Sequence, residues 1–105
     1  FFLISPAVAA GRAQVQQELL AETTEGTGIT INCSHPNIRS SEFIYWYRQL
    51  PDRAPTFVSV AHTGSKAVQS PSGRLSVAAD RRSSGLWLAR PRRGDAAVYY
   101  CAPAG

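Results

Sequence analysis

Two widely spaced cysteines constrain this chain more than any other feature of its sequence. Cys33 and Cys101 are its only cysteines, and 68 positions separate them. Each lies in a short run of alternating apolar and polar residues, on the apolar side of that run. Because alternate side chains of a strand point to the same face, both cysteines are predicted to face a core. A disulfide across so long a loop would stabilise a small domain by roughly 4 kcal/mol, mainly by restricting the unfolded chain.

Short alternating runs between turn residues fill most of the remaining sequence. In the run 44–49, Trp46 falls on the same face as Ile44 and Arg48, and the intervening residues form the opposite face. Comparable runs occupy 29–33, 57–60, 74–78, 86–88 and 97–101. No stretch has helical periodicity of useful length. The pattern predicts an all-β sandwich or barrel of about eight strands.

The length and the first residues indicate one domain preceded by a leader. A chain of 105 residues fits a single domain. Its opening run, FFLISPAVAA, is too short to cross a bilayer, which takes about 20 residues, but has the length of the apolar core of a secretory signal peptide. An ordinary first strand is the alternative, although Pro6 is atypical of one. We expect 1–13 to be a signal-peptide remnant and 14–105 to be the domain, in an oxidising compartment.

Three motifs resemble those of immunoglobulin variable domains. They are Cys33, the run Trp46-Tyr47-Arg48-Gln49, and the stretch 95–101, which reads DAAVYYC. Tyr99, two residues before the second cysteine, matches the tyrosine corner of this fold. The resemblance covers nearly all of 14–102, and within the variable domains it is strongest to T-cell receptor alpha or delta chains.

The resemblance implies an immunoglobulin V-type Greek-key sandwich closed by a Cys33–Cys101 disulfide. Its expected core includes Trp46, Tyr99 and Leu88. Arg74 is expected to form an ion pair with Asp95 at one end of the sandwich. Because the sequence stops soon after Cys101, we expect the final strand, which a joining segment supplies, to be lacking. The edge beside the last strand would then be unpaired.

The face opposite the core is predicted to bind a partner domain. Parity places on it Tyr45, Tyr47, Gln49 and Tyr100, and the resemblance adds Pro55 nearby. A surface rich in tyrosine and poor in charge is typical of interface centres. The resemblance implies that this face packs on a second variable domain, from a beta-type chain.

The resemblance also implies antigen recognition by three loops at one end of the sandwich. We expect them at 35–42, at 61–66 and from Ala102 onward. The candidate contact residues are His35, Asn37, Arg39, Ser41, Glu42, His62, Thr63, Lys66, Ala102 and Pro103. The expected ligand is a peptide bound to a histocompatibility (MHC) molecule. The expected location is the plasma membrane, where the full receptor carries invariant signalling subunits.

Two other binding classes remain open at this point. One is a non-rearranging V-type adhesion or inhibitory receptor, and the other is an antibody light-chain variable domain. An enzyme is not expected, because no recognisable motif places a nucleophile beside His35 or His62. Neither a metal nor another cofactor is expected, because Cys33 and His35 have no second ligand pair at metal-site spacing.

Two smaller motifs complete the sequence. Arg81, Arg82, Arg90, Arg92 and Arg93 form a basic cluster in a chain of net charge +4. Aromatic residues that could stack on bases are not interleaved with them, so a solvated end is expected rather than a nucleic-acid site. The triplet Asn32-Cys33-Ser34 matches the pattern for N-linked glycosylation, with the asparagine predicted to point outward.

Overall fold

The computed structural model describes residues 2–7, 16–17, 21–23, 25–69 and 71–105, and these residues form ten strands. The strands are β1 (Phe2–Ala7), β2 (Gln16–Gln17), β3 (Ala21–Thr23), β4 (Ile29–Ser34), β5 (Phe43–Gln49), β6 (Thr56–Ala61), β7 (Ser65–Gln69), β8 (Ser72–Val77), β9 (Ser83–Leu88) and β10 (Val98–Ala104). One turn of 3-10 helix, Arg93–Asp95, precedes β10. Within these ranges, no helix has the length and apolar character that crossing a membrane requires.

The strands form two five-stranded sheets. The first has the order β3-β1-β10-β5-β6 and the second the order β2-β4-β9-β8-β7. The β1–β10 pairing is parallel, and the other pairings are antiparallel. The prediction of an all-β, immunoglobulin V-like sandwich is therefore confirmed. The predicted edge strand around Lys66 corresponds to β7.

The core lies between the sheets, around the disulfide. Cys33 of β4 is bonded to Cys101 of β10, so the bond joins one sheet to the other. Trp46, Tyr99 and Leu88 are completely buried beside it. Alternation along β4, β5 and β10 produces this arrangement, because every second side chain of each strand points between the sheets. The indole is so enclosed that its Nε1 has no hydrogen-bond partner among the residues that the structure describes.

The edge of β10 is the first place where expectation and structure differ. Residues 5–7 of β1 pair in parallel with Val98, Tyr99 and Tyr100 of β10, so over this stretch the predicted unpaired edge is wrong. An extended segment satisfies the backbone groups of an edge strand whatever its side chains are. The identification of 1–13 as a leader stays a prediction, and residues 1 and 8–13 lie outside the described part of the chain.

Candidate functional site

One end of the sandwich is closed by an ion pair between Arg48 and Asp95. The Arg48 Nη1 donates to Oδ1 of Asp95 at 3.1 Å, and the Tyr99 hydroxyl donates to the Asp95 carbonyl oxygen at 2.9 Å. Burial raises the pKa of the Tyr99 phenol, which keeps its hydroxyl protonated and able to donate. The second bond is the one expected of a tyrosine corner.

The predicted Arg74–Asp95 ion pair is wrong. Leu75 is buried, so its neighbour Arg74 points away from the core and donates instead to the Ser65 hydroxyl at 3.2 Å. Arg48 shares the inward face of β5 with Trp46, and this places its guanidinium against Asp95.

The first and second predicted loops meet at the opposite end, which we call the loop end (residues 35–42, 61–66 and 81). The His62 ring nitrogen Nε2 lies 2.8 Å from the carbonyl oxygen of Ser40. The same ring packs against Phe43, with 5.0 Å between ring centroids. The C-terminal Gly105 is close by, since a Cβ built on it would lie 3.5 Å from Cγ of Glu42.

Arg81, in the turn between β8 and β9, holds the two loops together. Its Nε donates to the carbonyl oxygen of His62 at 2.9 Å and its Nη1 to that of Arg39 at 3.2 Å. Its Nη2 donates to the carbonyl oxygen of Glu42. The backbone of Arg81 is left-handed, with φ of 60°, which turns the side chain under the loops. The prediction of a solvated arginine is therefore wrong for Arg81, although Arg82, Arg90, Arg92 and Arg93 are exposed.

Two predicted contact residues are buried supports of the loops. His35 is 1% exposed, and its Nε2 lies 3.1 Å from the Ser84 hydroxyl. Desolvation by this burial lowers the pKa of His35 below its ordinary value of 6.5. Glu42 is 7% exposed, and its Oε1 accepts from the backbone N–H of Arg39 at 2.8 Å. Their expected positions on an exposed surface were wrong, because the His35 ring turns inward to Ser84 of β9 and the Glu42 carboxylate turns inward to the loop backbone.

The remaining predicted contact residues divide between surface and strand. Asn37, Arg39, Ser41, Thr63 and Lys66 are exposed, and His62 is half-buried. Lys66 belongs to β7, and its Nζ donates to the carbonyl oxygen of Val60 at 3.0 Å. Ala102 and Pro103 continue β10, opposite Tyr45 and Ile44, so the expectation that a loop begins at Ala102 is wrong. β10 extends to Ala104, which pairs with Phe43 at the start of β5.

A second surface lies on the outer face of the first sheet, and we call it the tyrosine face (Tyr45, Tyr47, Gln49, Phe57 and Tyr100). The rings of Tyr45 and Tyr47 stack at 6.4 Å, and Phe57 meets Tyr47 edge-on at 6.1 Å. The Tyr100 hydroxyl donates to Oε1 of Gln49 at 3.0 Å. Pro55 is exposed in the turn before β6.

Phe57, which is 57% exposed, was missed by the sequence reading. The β5–β6 register shifts between Trp46 and Tyr47, so that Trp46 faces Ser59 whereas Tyr47 faces Phe57. Such a bulge rotates the strand and re-aims the side chains beyond it. Phe57 therefore joins the tyrosine face.

The part of the chain that the structure describes contains no candidate metal site. No group of three or more histidine, cysteine, aspartate or glutamate side chains there could hold a metal ion. Both cysteines are in the disulfide and supply no thiolate, and the Nε2 of His35 lies at hydrogen-bond distance from the Ser84 hydroxyl.

Comparison with known proteins gives the chain a family. The profile of the Immunoglobulin V-set domain matches residues 16–104. Human T cell receptor alpha variable 2 is 36% identical over 95 residues, which cover 90% of this chain and 80% of that protein. Human T cell receptor alpha variable 26-1 is 32% identical over 89 residues, which cover 85% of this chain and 80% of that protein.

A solved structure agrees with these sequence relatives. A crystal structure of a chicken TCR superposes with a TM-score of 0.83 at 67% identity, over 88% of this chain. This chain spans 47% of that one. The disulfide, the tyrosine corner and the two-sheet topology described above are what such similarity requires. The V-set domains of T cell receptors are a class of receptor domains rather than enzymes. This chain belongs to the immunoglobulin V-set family and, within it, to the alpha and delta variable domains of T cell receptors.

Proposed function

We propose that this domain is the antigen-recognition half of an alpha-type T cell receptor chain, paired with the variable domain of a beta-type chain. The observation that carries the proposal is the tyrosine face. It places four aromatic side chains and one amide side by side on an open sheet, and none of the five is charged. Aromatic residues are enriched and charges depleted at the centres of protein interfaces.

Gln49 would sit at the centre of this interface. Its Oε1 accepts from Tyr100, and its Nε2 donates to the carbonyl oxygen of Arg53 at 2.9 Å. A side-chain amide can accept two hydrogen bonds and donate two. The carboxamide thus retains the capacity to bond a partner amide, while Tyr100 of β10 and the turn after β5 hold it in a fixed orientation.

The loop end would bind the antigen, a peptide held by an MHC molecule. Arg39 and Thr63 are exposed there, on loops whose backbone Arg81 holds, and Lys66 is exposed at the start of β7 beside them. Exposed charges at an interface rim mainly affect the association rate and its salt dependence. The proposal places the domain outside the cell, on a plasma-membrane receptor with invariant signalling subunits, after secretion directed by residues 1–13. Removal of this leader would also remove β1 and its pairing with β10.

Pairing can be tested with two exposed aromatic residues on opposite sheets. Phe57 lies on the tyrosine face, whereas Trp87, 45% exposed, lies on the outer face of the second sheet. We expect Phe57→Ala to weaken association with a beta-type variable domain by at least tenfold, the scale of an interface hot spot, measured by calorimetry. Trp87→Ala is the matched control and should leave the dissociation constant unchanged. Equal effects of the two substitutions would reject the tyrosine face as the interface.

Antigen contact can be tested in the assembled receptor with two exposed arginines at opposite ends. Arg39→Ala removes a charge from the loop end, and Arg93→Ala removes one from the other end. Only the first should reduce the association rate with peptide–MHC ligands. An Arg39→Ala receptor that binds several ligands as the parent does would count against the assignment of this loop.

A further inference from the structure

We propose that Asn32 carries an N-linked glycan whose first sugars lie in a groove across Gly85 and against Trp87. This outer groove (Thr30, Asn32, Ser76, Ser83, Gly85 and Trp87) lies on the outer face of the second sheet, on the opposite sheet from the tyrosine face, and reaches the loop end where Ser76 pairs with Ser65. It is open to solvent and has a volume of about 730 Å³. That volume lies within the range of roughly 300–1,000 Å³ typical of small-molecule sites.

The attachment point lies inside the groove. Asn32 is exposed on β4 and is paired across the sheet with Gly85 of β9. A Cβ built on Gly85 would lie 3.3 Å from Oδ1 of Asn32 and 3.2 Å from Cγ2 of Thr30. The asparagine amide therefore leans over a residue that has no side chain.

The lining has the chemistry of a carbohydrate surface. Trp87 offers a large aromatic area at one end, against which the C–H face of a sugar ring can pack. The hydroxyls of Thr30, Ser76 and Ser83 offer hydrogen bonds to sugar hydroxyls. Among the described lining residues none is charged, which favours a neutral ligand over an ionic one.

The modification needs only passage through the secretory pathway, so it does not rest on the proposed receptor function. The donor is an oligosaccharide carried on a polyprenyl pyrophosphate. The Asn32 Nδ2 forms a bond to C1 of the first sugar, the bond from C1 to the pyrophosphate oxygen breaks, and the nitrogen loses one proton. The polyprenyl pyrophosphate leaves with the bonding electrons. Ser34 supplies the hydroxyl that the acceptor pattern requires.

The site is tested by mass spectrometry of the full chain secreted from eukaryotic cells. We expect the parent chain to lose mass on treatment with an N-glycosidase, which converts Asn32 to aspartate. Ser34→Ala should abolish the glycan, Ser34→Thr should retain it, and Ser76→Ala, a groove serine outside the triplet, is the matched control that also retains it. An unmodified Asn32 in the secreted parent chain would overturn the proposal.

The position of the sugars is tested by tryptophan fluorescence. The chain has two tryptophans, of which Trp46 is completely buried, so acrylamide quenching reports on Trp87. Trimming the glycan from the folded chain should increase the quenching of Trp87. The glycan-free Ser34→Ala chain should show the same higher level. Identical quenching with and without the glycan would show that the sugars project into solvent and would reject the packing against Trp87.

Discussion

Arg48 and Asp95 form an ion pair whose two side chains are only 16% and 19% exposed. The pair joins the end of β5 to the turn before β10. Asp95 also makes a hydrogen bond within that turn, where its Oδ2 accepts from the backbone N–H of Arg92 at 3.0 Å. Because one carboxylate binds both the Arg48 guanidinium and the backbone of the turn, the loss of either partner should destabilise this end of the sandwich.

Replacement of Arg48 should therefore destabilise the domain. We expect Arg48→Ala to lower the free energy of unfolding by about 2 kcal/mol, the scale of a hydrogen bond to a partly buried charged group. Arg74→Ala, which removes an exposed arginine from β8, should change it by less than about 0.5 kcal/mol. Urea denaturation followed by tryptophan fluorescence measures both. Comparable losses in the two variants would contradict the assignment of Arg48 as the partner of Asp95.

Removal of the Arg81 guanidinium should loosen both loops at once. Arg81→Ala keeps the same left-handed backbone requirement but deletes the bonds to His62, Arg39 and Glu42. We expect faster hydrogen exchange in 36–42 and in 61–64, together with a loss of about 2 kcal/mol of stability. Arg82→Ala, one residue along and exposed, is the control. Faster exchange confined to one of the loops would show that Arg81 does not couple them.

Stability should depend on pH through His35. Because burial lowers the pKa of His35 in the folded chain, the unfolded chain binds the proton more readily. The contribution of the neutral ring is complete above pH 6.5 and is lost as the pH falls through the lower folded value. The free energy of unfolding should thus fall more steeply from pH 7.5 to 5.5 in the parent than in His35→Gln.

Gly73 should not tolerate any side chain. A Cβ built on it would lie 1.8 Å from the carbonyl oxygen of Trp87, a backbone atom that cannot move without breaking the β8–β9 pairing. We expect Gly73→Ala to cost at least about 2 kcal/mol by steric overlap. Gly94→Ala is the control, since nothing lies within 4 Å of its Cβ position. Circular dichroism melting curves would distinguish them, and equal midpoints would refute the close approach.

Alternation along single strands was sufficient to predict the core. It placed Cys33, Trp46 and Cys101 on inward faces, because the period of two in a strand translates directly into a side of the sheet. The same parity put Arg48 on the face of Trp46, from which its guanidinium reaches Asp95, although this pairing was not itself predicted. The resemblance to other variable domains pointed to Arg74 instead, and the local pattern was the better guide.

The errors arose where geometry between distant segments decides the outcome. Phe57 faces outward because of a bulge, and a shift in register between two strands leaves no mark in the sequence of either one. The role of Arg81 depends on partners as far as 42 residues away. The buried positions of His35 and Glu42 likewise depend on contacts made by the folded loop, and polar residues in a turn-like stretch read as exposed.

The three acceptors that Arg81 uses are all main-chain carbonyl oxygens. Every amino acid supplies such an oxygen, so this anchor is indifferent to which side chains stand at 39, 42 and 62 as long as the backbone keeps its path. Related chains could thus vary the chemistry they present to a ligand without rebuilding the platform beneath it. The side chains at these positions can then vary, whereas the main-chain atoms of the same residues keep the loops rigid.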